Sequence, residues 1–210
     1  QLTGVQEFMG LEFYVNEHVL IPRQDTETLV ELVLSEHKEK NISLLDVCTG
    51  SGCIAISLAK LGGYTDVTAL DLSEEALKVA RSNGEKLLDQ PVKFIKSDMF
   101  SALNPEKQYN VIVSNPPYIP SQVIEGLEPE VKDHEPRMAL DGEPDGLKFY
   151  RILAEEGKKY LKNGGSIYME IGWDQAKDVT KIFETMGFKG LRTVRDMTGN
   201  DRVVCARKEK

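Results

Sequence analysis

The chain has few of the residues that would staple or anchor it. Its three cysteines, Cys48, Cys53 and Cys205, are odd in number, form no CxxC pair and have no histidine at zinc-ligand spacing. A disulfide framework and a structural metal site are excluded as sources of stability, and a reducing, cytoplasmic setting is the expectation. No stretch approaches the roughly 18 consecutive apolar residues of a membrane-spanning helix. No basic-then-apolar leader opens the sequence either, so neither membrane insertion nor secretion is expected. Basic residues are outnumbered, 26 Lys and Arg against 34 Asp and Glu, for a formal net charge of -8. Sequence-independent nucleic-acid binding rests on many cationic contacts to phosphate, so a protein partner suits this balance better. The GxxxxGK[ST] pattern is missing, which removes the usual cradle for phosphoryl transfer.

What is present suffices for one domain: 210 residues, 40% of them apolar, enough to bury a sizeable core. Apolar runs at 42–48, 67–72, 92–98, 109–115 and 166–172 alternate with helical patterns at 53–61 and 74–88. Two further β-rich runs, 187–196 and 202–208, flank a turn at Thr198-Gly199-Asn200. This pattern predicts a doubly wound α/β fold with a mostly parallel, seven-stranded sheet and an antiparallel hairpin at one edge. Residues 1–25 read as a lead-in segment with a short hairpin from Leu11 to Pro22. Residues 26–210 form the main domain, entered by a helix over 26–38 capped by Asp25 or Thr26. The stretch 116–146, rich in proline and charge without a clear period, predicts a long excursion above the carboxyl ends of the strands. A helix over 147–161 stopped by Asn163-Gly164-Gly165 and another over 174–186 follow. The opening at Gln1, in mid-pattern and without an initiator Met, is what a piece of a longer chain would show.

The turn after the first apolar run, Asp46-Val47-Cys48-Thr49-Gly50-Ser51-Gly52, is where glycine lets backbone approach a ligand with no Cβ in the way. Two of the three glycines of GxGxxG are present, so the motif alone is weak and a plain tight turn is its alternative explanation. Asp71 adds context: it ends the next run about twenty residues on, where a carboxylate accepts ribose hydroxyls. With Ser73, Glu74 and Glu75 it is also what a helix cap would use. Asp98 ends the third run, placed to receive an adenine amino group, with Met99 or Phe100 to cover the ring. A dinucleotide enzyme would share these features, but no hydride-transfer set accompanies them, so S-adenosyl-L-methionine is the expected cofactor and S-adenosyl-L-homocysteine the product.

The run Val111-Ile112-Val113-Ser114 delivers Asn115-Pro116-Pro117-Tyr118 to the same sheet edge. Two consecutive prolines fix φ and remove two N–H donors, which leaves carbonyls free to face a ligand. A planar NH2 group is a poor nucleophile until its protons are held and its lone pair aimed. The Asn115 side-chain oxygen and the Pro116 carbonyl are the expected acceptors, and Tyr118 the expected wall against the planar group. In-line methyl transfer then depends mainly on positioning, with no charged base required.

Over nearly its full length the chain resembles the release factor glutamine methyltransferase family (HemK/PrmC). The resemblance is carried by Phe8-Met9-Gly10 with Phe13 and Val15, by Leu20-Ile21-Pro22-Arg23-Gln24-Asp25-Thr26-Glu27, and by the glycine loop. It continues through Asn115-Pro116-Pro117-Tyr118-Ile119, Glu135-Pro136 with Ala139-Leu140, and Asp145-Gly146-Leu147. It implies a class I, Rossmann-like methyltransferase fold and N5-methylation of the glutamine in the Gly-Gly-Gln motif of peptide chain release factors. Cofactor contacts carried over fall on Cys48, Thr49, Gly50, Ser51, Gly52, Asp71, Met99 and Asn115, and glutamine binding on Asn115 to Tyr118. Cys48 stands where the family commonly has Gly, and Gln24 where Pro is usual. The family's N-terminal helical domain is not represented in this sequence, and a monomer is the expectation.

Adenine-N6 methyltransferases acting on DNA or RNA also use Asn-Pro-Pro-Tyr on a planar NH2, and their rivalry turns on charge. A local patch of Lys132, Arg137 and Arg151 is their best support here. The ribosomal protein glutamine methyltransferases share the motif as well, and an inactive cofactor-binding module would retain the fold. Trp173 and Glu170 read as packing and capping residues, and His18, His37 and His134 as surface residues without chemistry.

Overall fold

A computed structural model describes residues 4–132 and 135–210. The chain opens with an antiparallel hairpin, β1 (Gly4–Phe8) and β2 (Leu11–Val15). Its two-residue turn is Met9-Gly10, with φ of 52° and 75°, the doubly left-handed turn that matches strand twist. The hairpin therefore lies earlier than the expected 11–22. Met at the first turn position hid it, because Asn or Asp usually marks that place. Phe8 and Phe13 pack edge to face at 6.1 Å, fully buried. The buried Asn83 amide bonds both backbone groups of Tyr14, at 2.7 and 3.1 Å, and the Ser51 carbonyl at 2.9 Å. One side chain thus fastens the hairpin to the glycine loop.

A single 3-10 turn (Gln24–Thr26) leads into α1 (Glu27–Glu36). Neither Asp25 nor Thr26 caps the helix with its side chain, because the Thr26 hydroxyl is spent on Glu170. Then come β3 (Ser43–Val47), α2 (Cys53–Gly62), β4 (Asp66–Asp71), α3 (Glu74–Leu87), β5 (Lys93–Lys96) and β6 (Tyr109–Ser114). Among the described residues the excursion over 116–146 contains two single turns of α-helix, α4 (Ser121–Ile124) and α5 (Pro129–Lys132), and a 3-10 turn at Arg137–Ala139. It returns beside its start through a bridge between Ile119 and Asp141. The chain closes with α6 (Lys148–Tyr160), β7 (Leu161–Glu170), α7 (Ala176–Thr185), β8 (Lys189–Arg195) and β9 (Asp201–Arg207). Asn163-Gly164-Gly165 does not stop α6, which ends at Tyr160. Those residues sit within β7, where the pairing with β6 shifts register.

The sheet order is β5-β4-β3-β6-β7-β9-β8, with β3 to β7 parallel and β9 antiparallel to both neighbours. Side chains alternate between two apolar layers. Leu44, Val111, Val113, Tyr168 and Cys205 face α1 and α2, while Leu45, Ile112, Ile167, Met169 and Val204 face α6 and α7. Covering both faces is what makes these strands continuously apolar. Strand order reverses between β3 and β6, and a sheet of this type binds its ligand outside the carboxyl ends at such a point.

Candidate active site

The β3 and β6 ends are in register, Val47 opposite Ser114, and Ser114 Oγ donates to the Val47 carbonyl at 2.6 Å. The two loops that follow, the glycine loop and Asn115-Pro116-Pro117-Tyr118, therefore leave the sheet side by side. Between and beyond them opens a cleft lined by Cys48, Thr49, Gly50, Ser51, Asp71, Asp98, Met99, Asn115 and Pro117. Its atom-free space is about 1190 Å³, part of it open to solvent.

Local geometry makes the glycine loop a cradle. Gly50 and Gly52 are left-handed at φ 56° and 83°, and a Cβ on Gly50 would meet only open space. On Gly52 it would strike Ile56 at 2.9 Å, so that glycine serves packing, away from the cleft lining. Cys48 is left-handed too, at φ 66°, which explains why glycine suits this position and costs the cysteine about 1–2 kcal/mol. Asp71 accepts the Gly50 N–H and the Ser73 N–H, both at 2.9 Å, and burial raises its pKa. It holds the loop and the backbone of Ser73, whose hydroxyl caps α3 by accepting the Ala76 N–H at 3.1 Å.

Beneath the loop, Asp46 is fully buried; Oδ2 accepts the Thr49 hydroxyl at 2.7 Å, and Oδ1 has no hydrogen-bond partner among the described residues. Burial pushes its pKa up to about 7. Ser51 Oγ, also buried, is unpartnered as well. Ser51 lines the cleft, so its hydroxyl is a group that a polar ligand would complete, whereas Asp46 lies beneath the lining. Met99 reaches the cleft and lies 3.8 Å from Cys48, sulfur to sulfur. Phe100 is buried and stacked on Tyr160 at 5.2 Å, so it is a core residue and covers no ring.

Asn115 lines the cleft, half-buried, and among the described residues nothing hydrogen-bonds its side chain. Pro116 and Tyr118 lie off the lining. Tyr118 donates its hydroxyl to Glu170 Oε2 at 3.0 Å and packs against the core, so its ring does not wall the cleft. Glu170 is no cap. It is buried, accepts from Tyr118 and Thr26, and burial raises its pKa. Trp173 is 67% exposed and packs little.

The lead-in segment supplies a wall that motif reasoning missed: His18 to Arg23 line the cleft, with Pro136, Met138 and Ala139 opposite. Arg23 bridges the walls by pairing with the buried Glu135 at 2.5 and 3.3 Å, and Glu135 also accepts the Ile21 N–H at 3.2 Å. His18, expected at the surface, thus borders the cleft. His37 is half-buried and bonded to Tyr168 Oη at 2.9 Å. His134 lies outside the described residues. Of the basic patch, the Lys132 side chain also lies outside them, Arg137 pairs with Glu125 and Asp141, and Arg151 pairs with Asp145.

Residues 24–126 match the methyltransferase small domain. A release factor glutamine methyltransferase of Fusobacterium nucleatum is 45% identical over 99% of this chain, which spans 59% of that protein. Another, from Clostridium acetobutylicum, is 44% identical over 98% of the chain and 73% of the relative. The chain belongs to the release factor glutamine methyltransferase family. Among solved structures, a release factor-specific protein-(glutamine-N5) methyltransferase of Alicyclobacillus acidocaldarius superposes with a TM-score of 0.55. It is 32% identical and matches over 90% of this chain and 95% of that one. The fold is accordingly the class I methyltransferase fold. Against the family pattern, Gln24 is exposed at the first position of its 3-10 turn, after an extended Arg23 with φ of -111° and ψ of 147°. That backbone accepts proline without change.

Proposed function

We propose that this chain transfers a methyl group from S-adenosyl-L-methionine to N5 of the glutamine side chain in the Gly-Gly-Gln motif of peptide chain release factors. The observation that carries the reading is the juxtaposition, at the β3/β6 switch point, of the glycine cradle with the free side chain of Asn115. The cofactor supplies an electrophilic sulfonium methyl when bound. The cleft fits it: Asp71 and Asp98 stand at the ends of β4 and β5 for the nucleoside, and the unpartnered hydroxyl of Ser51 belongs to a residue of the same lining. From β5 to β6 the cleft crosses three strand spacings, about 14 Å, the scale of a nucleoside carrying an amino-acid tail.

Asn115 Oδ1, which belongs to a residue of the lining, accepts one amide proton of the incoming glutamine. The Pro116 carbonyl, set back from the lining between Asn115 and Pro117, is the acceptor proposed for the other, and holding both turns the nitrogen lone pair toward the methyl group. The ring of Pro117 and the fixed φ of both prolines keep these acceptors from relaxing. Alignment of this kind supplies much of the barrier reduction for an in-line displacement. A reducing cytoplasmic setting and a release factor as protein partner go with this reading.

The test is labelled S-adenosyl-L-methionine incubated with release factor, ribosomal protein or DNA. Label is expected on the release factor glutamine, and Asn115→Ala should lower the rate at least about a hundredfold, as for loss of one transition-state hydrogen bond. Label in DNA, or in ribosomal protein alone, would overturn the assignment.

A further inference from the structure

Tyr118 is gripped at its carbonyl as well as its hydroxyl. The amide of Gln175, 7% exposed just before α7, donates to the Tyr118 carbonyl at 2.8 Å and to the Gly146 carbonyl at 3.4 Å. Its Oε1 accepts the Gly172 N–H at 2.8 Å. One buried side chain therefore joins the end of the Asn-Pro-Pro-Tyr turn, the return of the excursion and the loop after β7. A Cβ on Gly146, left-handed at φ 74°, would approach the Tyr118 carbonyl to 2.6 Å and Gln175 Nε2 to 3.0 Å. A Cβ on Gly142 would approach Tyr118 Cα to 2.9 Å. The excursion closes on the same point, since Ile119 N–H donates to the Leu140 carbonyl at 3.0 Å and Gly142 N–H to the Ile119 carbonyl at 2.8 Å.

We infer that Gln175 is a positioning residue for methyl transfer, holding the carbonyl of Tyr118 so that the rigid Pro116-Pro117 bend presents Asn115 at a fixed angle to the glycine cradle. This inference rests on the proposed function for its kinetic readout. The prolines transmit the hold, because their fixed φ leaves few torsions between Tyr118 and Asn115 to absorb a slip. Gln175 is not a lining residue of the cleft, and its side-chain hydrogen bonds go to Tyr118, Gly146 and Gly172, so its loss should act on alignment rather than on binding. Displacements of about 1 Å in aligned groups cost on the order of a hundredfold in rate.

The experiment compares Gln175→Met, which keeps length and removes both functions, with Gln175→Asn, a milder variant that keeps an amide but shortens its reach. Expected for either folded variant is a kcat on release factor reduced about ten- to a hundredfold. The Kd for S-adenosyl-L-methionine and the KM for release factor should stay within about threefold, under 1 kcal/mol. In an Asn115→Ala background, Gln175→Asn should cause little further loss. Amide exchange of Ile119 in the cofactor-bound protein, which needs no substrate, should speed up at least tenfold. An unchanged kcat, or a loss expressed wholly as weaker cofactor binding, overturns the inference. If wild type labels no release factor, the proposed function fails. Ile119 exchange then decides the clamp alone, and unchanged exchange rejects it.

Discussion

At the residue scale, the most unusual group is Asp46. Its carboxyl is fully buried with one oxygen unpartnered among the described residues, and burial pushes its pKa up to about 7 from the ordinary 3.8 of a free carboxyl. The folded protein therefore holds a proton there that the unfolded chain has lost, between about pH 4 and 7. Over that window the unfolded state binds fewer protons, so this group's contribution to stability falls as pH rises, and it levels off above pH 7. Asp46→Asn removes the dependence. Its stability relative to wild type should climb from pH 5 to 7, with a slope approaching about 1.4 kcal/mol per pH unit. Urea unfolding across pH 5–8 checks this, and a pH-independent difference between the two proteins would refute it. The motif marked Asp46 as part of a loop. That it sits beneath the loop, stripped of water, follows only from α2 packing over it.

At the element scale, the lead-in segment and the excursion are walls held by one ion pair. Glu135 is nearly fully buried, whereas the Arg23 side chain is 41% exposed, so solvent screens part of the attraction. Glu135→Gln keeps the shape and removes the charge. The loss of a charge-assisted bond, about 1.5 kcal/mol, should weaken cofactor binding roughly tenfold. Calorimetric titration with S-adenosyl-L-methionine measures it, and an unchanged Kd would mean that the walls close without the pair. Gln24→Pro should act in the other direction. Its backbone N–H makes no hydrogen bond among the described residues, and the local geometry already suits proline. A gain of about 0.4–1 kcal/mol is expected from restriction of the unfolded chain, read as a higher Tm. The pairs that build these walls, Arg23 with Glu135 and Thr26 with Glu170, lie over a hundred residues apart in the chain. No periodicity carries information about them.

At the scale of the whole molecule, the three thiols report on integrity. Cys53 and Cys205 are buried, with pKa values pushed up to about 12 and about 11, and burial raises that of Cys48 as well. Only thiolate reacts, so the native protein should resist thiol reagents at pH 8, and all three cysteines should label once denaturant unfolds the sheet. Fast labelling of Cys53 or Cys205 in the native state would show that α2 or β9 opens locally. The charge of -8 and the pairing of Arg137 and Arg151 with carboxylates also belong to this scale. Neither arginine is an unpaired cation of the kind a phosphate backbone would need.

Alternation of apolar runs with helical patterns was enough to determine the doubly wound sheet and its edge hairpin, because burying both faces of a parallel sheet imposes that pattern directly on composition. The glycine loop and Asn115-Pro116-Pro117-Tyr118 were legible for a similar reason: each needs particular backbone freedom or rigidity, and only glycine and proline provide it. Tertiary structure alone decided what surrounds them. It turned the Tyr118 ring from the cleft toward Glu170, bonded Gln175 to the backbones of Tyr118, Gly146 and Gly172, brought His18 to Arg23 to the cleft, and set Asn163-Gly164-Gly165 inside a strand. Those outcomes depend on which distant polar groups find each other when water leaves, and a linear pattern records a residue's own preference but not its partner.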